Sequence, residues 1–289
     1  MSELIAPGVV ARIHRSLDSL HSVVYFAPEG ADEYRAAGLD RSRYHYFASR
    51  AAALGPVPAD VVTATFYNFS PSLVGRAIPA AWELASREAI VAARLRVVDR
   101  AYRRLLGDDV VTGPEVAEAA ELARVAAQDL PPDGRPLYAG HATLPWPDEP
   151  HLVLWHALTL LREFRGDGHV AALLASGLSG LEALVTHTAT GRGFTVDAAK
   201  ATRGWSDTEW DAARAALRER KVLDDDGLTD GGYALRDSVE ATTDRLGTAP
   251  WLALGPARAA RLRELGKDLT GRIVAAGAFP AGIFAAPKG

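Results

Sequence analysis

The sequence predicts a mainly α-helical protein, with a helical N-terminal domain over residues 1–190 and a second domain over residues 191–289 that ends in further helices. Three observations predict this. Apolar residues recur at helical spacing along most of the chain, capping residues stand ahead of several of those runs, and Pro/Gly pairs punctuate them. Only one short stretch, around residues 222–229, reads as strand.

Ile13, Leu17, Leu20 and Val24 share one face, so residues 9–26 form an amphipathic helix that Pro28 and Gly30 end. Residues 43–54 and 59–69 are the next helices, separated by Gly55-Pro56-Val57-Pro58. Ser86 caps a long helix through Leu106, with Ile90, Ala93, Val97, Ala101 and Leu105 inside and Arg94, Arg96, Arg100, Arg103 and Arg104 on its outer faces. Thr112 and Glu115 form a capping box before a helix ending near Asp129. Residues 151–164 and 169–188 are two strongly apolar helices interrupted by Arg165-Gly166-Asp167-Gly168. Gly177-Leu178-Ser179-Gly180 lies inside the second of these and is no nucleophile elbow, and Gly191-Arg192-Gly193 is a helix C-cap rather than a dinucleotide loop.

From Arg203 to Leu246 the order is a capped helix, an Asp-rich turn, a short Leu228-Thr229 piece, a Gly231-Gly232 break and a second helix, which is the order of a winged-helix module. Ser206 and Glu209 form its S-x-x-E box, and Trp210, Ala213, Leu217 and Val222 its buried stripe. Between Trp205 and Asp226 seven acidic residues stand against four basic ones. Such a face meets phosphates with like charge, so specific DNA binding is not expected although the fold commonly serves it. Dimerisation, giving a homodimer, or closure over a neighbouring site are its other uses.

Net charge is −4 with a sequence pI near 6.1, which steers the chain toward neither nucleic acid nor anionic membranes. The absence of cysteine excludes disulfides, thiolate metal sites and cysteine nucleophiles. No stretch approaches about eighteen uninterrupted apolar residues and the N-terminus carries no apolar signal region, so a cytoplasmic location without membrane contact is expected.

A weak internal repeat relates the segment from Tyr46 to Pro58 to the segment from Leu137 to Pro147, each leading into an apolar helix. A duplicated helical unit of this kind places a ligand pocket between its halves, while an Ala-rich chain produces the same similarity by chance.

The segments LHSVVYFAPE, YFASRAAALGPVPADVVTATFYNFSP, RPLYAGHATLPWP, LLREFRGDGHVAALLASGLSGLEALV and RGWSDTEWDAA with LTDGGYALRDSVEATTD together resemble an actinobacterial helix-turn-helix family of similar length. The likeness covers nearly the whole chain. It implies a helical N-terminal region joined to a winged helix, and no reaction or catalytic residue comes with it.

Two groups of residues are candidates for a site. In the first, Arg162, Glu163, Arg165, Asp167 and His169 interrupt an apolar run, so charges are forced near the interior and need partners. In a functional reading an arginine binds an anionic group, a carboxylate orients it and His169 exchanges a proton or ligates a metal. In a structural reading Asp167 caps a helix beginning at Gly168 and the charges pair across helices. In the second group, His21 and Tyr25 share a helix face near Tyr67 and Asn68. Trp82, Trp146 and Trp155 are core or stacking residues. The eight histidines lack the H-E-x-x-H spacing; His21, Glu29, Glu163 and His169 are the set that could assemble a metal site across helices, and a lone histidine could hold haem. The expectation is a binding protein for an acidic or carbonyl-bearing small molecule, without a cofactor. A metal- or haem-dependent enzyme using the same pocket and a ligand-responsive transcription regulator are the alternatives.

Overall fold

The structure is a computed structural model and describes residues 7–280. The N-terminal half runs α1 (Pro7–Ser22), α2 (Glu29–Ala36), α3 (Ser42–Ala51), α4 (Ala59–Phe66), α5 (Pro71–Gly75), α6 (Ala80–Leu84) and α7 (Arg87–Leu106). Then α8 (Asp108–Val111), α9 (Pro114–Ala127) and α10 (Pro136–Ala142) lead into the longest helix, α11 (Pro150–Ala175). After α12 (Gly180–Ala189), α13 (Val196–Arg203), α14 (Asp207–Glu219) and α15 (Asp230–Leu246), the chain closes with α16 (Ala249–Leu254) and α17 (Pro256–Ala275). Among the described residues no single helix is long and apolar enough to cross a membrane.

Several elements form for the local reasons legible in the sequence. Ser86 Oγ accepts a hydrogen bond from Ala89 N at 3.2 Å to open α7, and Ile90, Ala93, Val97, Ala101 and Leu105 are all buried. The Ser206–Glu209 box opens α14, whose Trp210 and Leu217 are buried. The Thr112–Glu115 box does not form: α9 starts at Pro114, whose missing N–H would have had no helical partner in any case.

Two apolar cores organise the molecule. The larger joins α1, α3, α7, α9, the first part of α11 and the returning α16 and α17. Alanines 119, 120, 123, 126 and 127 are buried on α9, and their small side chains let that helix lie against α11. The smaller core starts on α11 at Ala172 and ends on α15 at Val239. A division at residue 190 therefore does not coincide with the cores, because the second one begins earlier and α17 packs back on α1 and α9.

The expected interruption at Arg165-Gly166-Asp167-Gly168 is absent, and α11 runs through it. The two glycines cost the helix about 1 kcal/mol each, but packing decides. A Cβ on Gly168 would lie 3.0 Å from Arg135 Nη1 and 3.1 Å from Leu246 Cβ, so glycine is what lets α15 and Arg135 approach. The real break is at Gly177, with φ +65°, and Ser179 caps α12 with Glu182 in a full capping box. Gly177-Leu178-Ser179-Gly180 is therefore a helix junction and not helix interior.

The expected wing reduces to one antiparallel bridge between Leu223 and Leu228; among the described residues there is no strand. Asp224 Oδ1 accepts from the amides of Asp226 and Gly227, closing the turn so tightly that only those two leucines face each other. Gly231 and Gly232 do not break the chain either: they lie in the first turn of α15, which Thr229 caps, and a Cβ on Gly232 would sit 2.2 Å from Val222 O.

Both halves of the internal repeat are helical, at α3 and α10, and they meet. A Cβ on Gly140 would lie 2.9 Å from Ala53 O. Arg50 and His141 occupy the same position in the two segments, and both act on Glu163.

Candidate functional site

The continuous α11 explains where the first candidate group goes. Residues four apart share a helix face, so Glu163 and Asp167 point one way while Arg165 and His169 point another. Arg162 pairs with Asp18 of α1, and Glu163 receives Arg50 of α3. Arg165 reaches Glu240 and Asp244 of α15, at 3.3 and 3.1 Å. Asp167 Oδ2 accepts from Tyr138 N at 3.0 Å, so it caps α10 rather than the helix that contains it. His169 Nδ1 lies 2.8 Å from Thr243 Oγ1. These side chains diverge to four elements and do not share one cavity.

Electrostatics follow from these positions. Burial pushes Asp167 up to about 6, against the opposing hydrogen bond from Tyr138. It lowers His169 to about 4, partly opposed by Glu240, so that imidazole is neutral near pH 7. Burial alone would raise Glu163, but the charge and hydrogen bonds of Arg50 hold its carboxyl at about 2.

A denser polar centre forms around Glu163, which is fully buried. Arg50 grips it with a bidentate fork, Nε to Oε1 at 3.0 Å and Nη2 to Oε2 at 2.7 Å. Tyr46 lies one turn before Arg50 on α3 and receives Arg50 Nη1 at 3.4 Å on its hydroxyl. Tyr25 stacks obliquely on Tyr46, with ring centroids 5.0 Å apart. Arg94 of α7 donates to Tyr25 Oη and to Ser49 O, both at 3.0 Å, and lies over Trp155 at 4.9 Å. His21 stacks on Trp155 with planes 6° apart, its edge toward Tyr25.

The centre runs from fully buried side chains to partly accessible ones. His21, Arg94, His141, Trp155 and Glu163 are buried, whereas Tyr25, Tyr46, Arg50, Arg162 and Arg203 are partly accessible. Burial would raise the Tyr46 phenol, but Arg50, Arg203 and Arg162 together lower it. Burial holds His21 well below its ordinary value and His141 down at about 3, so both rings are neutral.

Four arginines thus face a centre that contains one buried carboxylate. Arg50 has Glu163 and Arg162 has Asp18, but neither Arg94 nor Arg203 has a carboxylate partner among the described residues. Arg94 Nε, both ring nitrogens of His21 and His141 Nε2 are buried without a hydrogen-bond partner. Native interiors rarely leave such groups unsatisfied.

Of the predicted residues, Arg162, Glu163, His21 and Tyr25 belong to this centre. Tyr67 and Asn68 lie at the junction with the smaller core, where Tyr67 Oη donates to Leu178 O and Asn68 O accepts from Trp205 Nε1 at 2.9 Å. The residues that sequence reasoning missed are Arg50, Tyr46, Arg94, His141 and Arg203. The arginine run places Arg94 on an outer face, yet it lies four positions after Ile90 and three before Val97, on the buried stripe itself.

His21, Glu29, Glu163 and His169 do not assemble as a donor set: Glu29 is taken by Arg104, Glu163 by Arg50 and His169 by Thr243, while the His21 ring stacks on Trp155. The group of metal-ligating side chains that does come together among the described residues is Asp99, Glu149 and His151. Arg103 already donates to both of its carboxylates, which makes it an ion-pair network. An open surface depression of about 390 Å³ lies where residues 52–54 meet α10, and there Arg87 is bound to Ala52 O, Ala53 O and Thr143 Oγ1. Another of about 50 Å³ lies beside Trp210, and none of the predicted site residues lines either.

No curated protein and no solved structure significantly matches the chain. One family of sequences does, over residues 10–280, nearly the whole described chain, and it is described as a helix-turn-helix family. The chain belongs to this helix-turn-helix family.

Proposed function

We propose that the protein binds an organic anion, a small molecule with an acidic or carbonyl group, in the arginine–aromatic centre between α1, α3, α7 and α11. The observation that carries this reading is Arg94, which is 3% exposed, lacks a carboxylate and has an Nε without a partner. A buried cation without a counter-charge costs several kcal/mol, and an anionic ligand offsets that cost while satisfying the open donor. The surrounding rings of Tyr25, Tyr46, Phe69 and Trp155 supply apolar walls, and few, convergent polar groups on such walls characterise small-molecule sites.

The test is thermal stabilisation by a panel of small aromatic and aliphatic carboxylates, with Arg94→Gln and the half-exposed Arg162→Gln as comparisons. A ligand at one hundred times its Kd stabilises by about 2.7 kcal/mol. The reading requires at least one acid to raise the wild-type midpoint and both variants to blunt the rise. Equal shifts in all three proteins would remove it.

A second reading, a ligand-responsive regulator with a winged helix at residues 203–246, is favoured by the family match and by the capped α14 followed by a tight turn. Against sequence-specific DNA binding stand the exposed Asp207, Glu209 and Asp211 of α14 and Asp224 to Asp226 at the turn.

A further inference from the structure

We propose that α13 completes the anion site with Arg203, and that filling the site fastens the α12–α15 module to the helical body. This rests on the anion-binding reading above. Arg203 is the last residue of α13, in the smaller core's region, yet its guanidinium lies 4.6 Å over the Phe69 ring and acts electrostatically on Tyr46, Arg50 and Arg162. Its Nε is buried without a partner, and its one side-chain hydrogen bond among the described residues is to the neighbouring Thr202 Oγ1 at 3.0 Å. A cation delivered by one module to the partly accessible side of a site built by another, with no carboxylate to meet it, is poised to close on an anion held there.

The segment from Phe66 to Ser70 links the same two parts. Its rings face the site: Arg50 lies 4.5 Å over Phe66, and Phe69 is 5.3 Å from Tyr46. Its backbone and Tyr67 face the module: Ser70 N donates to Arg203 O at 2.8 Å, Asn68 O accepts from Trp205 Nε1, and Tyr67 Oη donates to Leu178 O. The approach is close enough that a Cβ on Gly180 would lie 1.8 Å from Tyr67 O, and Tyr67 itself holds φ +63°. Movement of Phe66 or Phe69 around a bound ligand therefore reaches the α13–α14 turn through two hydrogen bonds and the α11–α12 junction through a third. An arrangement biased by both a ligand and a module is what a coupling between them requires.

Hydrogen exchange with benzoate as the probe tests this, on wild type, Arg203→Gln, Arg203→Lys and Arg94→Gln, with melting curves to establish folding. In wild type benzoate should slow amide exchange in residues 196–206 and 67–70 as well as around Arg94. Arg203→Gln should bind at least about tenfold more weakly, the loss typical of one charge-assisted contact, and show no slowing in 196–206. Arg203→Lys, which keeps the charge without the fork, should bind between the two. If Arg94→Gln abolishes binding while Arg203→Gln binds as wild type, or if slowing stays outside residues 196–206, the coupling is wrong and the anion site stands. If wild type itself does not bind benzoate, both readings fall for aromatic carboxylates, the class these rings suit best.

Discussion

Replacing Glu163 by Gln should be among the most damaging isosteric changes in this protein, because it leaves the shape of the centre intact and removes its one buried negative charge. Two routes give the magnitude. Arg50 holds the carboxyl at about 2 in the fold against an ordinary value of 4.5, which corresponds to about 3 kcal/mol. Breaking one partner of a buried ion pair typically costs about 3–5 kcal/mol, and Arg50 would be left beside Arg94 and Arg162 without compensation. At about 2–4 °C per kcal/mol for a chain of this size, the midpoint should fall by roughly 6–20 °C. The sign with pH follows from the depressed carboxyl: its contribution is complete above pH 4.5 and disappears as pH falls toward 2, so mutant and wild type should converge in acid. Differential scanning calorimetry at pH 7 and at about pH 2.5 measures both effects. Arg162→Gln is the internal comparison, since its pair with Asp18 is half-exposed and worth about 0–1 kcal/mol. A Glu163→Gln midpoint within about 2 °C of wild type at pH 7 would refute the claim that this charge balances the centre.

Trp210→Ala should cost about 3–5 kcal/mol, since Trp210 is a buried anchor of the smaller core, and urea unfolding followed by exchange on α12 to α15 should show the loss there; a surface-sized effect would mean the wrong face was assigned. Asp167→Asn should be neutral or stabilising by up to about 2 kcal/mol at pH 7.5: the carboxyl is raised to about 6, so its favourable contribution is present at low pH and lost as pH rises through that value. Midpoints of Asp167→Asn below wild type at pH 7.5 would contradict this. Affinity for DNA should be weak and nonspecific, and a gel shift giving a discrete complex with upstream fragments at nanomolar protein and physiological salt would overturn that expectation.

The fold was legible wherever a helix states its own start and face. Ser86 with the stripe from Ile90 to Leu105, and Ser206 with Trp210 and Leu217, are local signals that tertiary structure leaves in place. The break in α11 was not legible at its true position. Arg165 to Gly168 carries every local mark of a turn, but the partners that keep it helical, Arg135, Tyr138 and Leu246, are distant in sequence. The wing was overread for the converse reason, since three aspartates and a glycine close a turn without leaving enough chain for a ladder. At the site, buried charge in α11 pointed to Glu163 and Arg162, and the shared face of His21 and Tyr25 was read correctly. Arg94 stood at a stripe position and was legible in principle. Arg50 and Arg203 were not, because nothing in their own segments says that α3 and the end of α13 converge on α11.

The central claim is that the arginine–aromatic centre holds an organic anion, and a crystal structure of the protein grown with benzoate tests it most directly. A carboxylate should lie within hydrogen-bond reach of Arg94 Nε or Arg50, with its ring against Tyr25, Tyr46 or Phe69 and Arg203 turned toward it. A centre closed by its own side chains, with benzoate absent or bound elsewhere and Arg94 Nε satisfied by water alone, would contradict it.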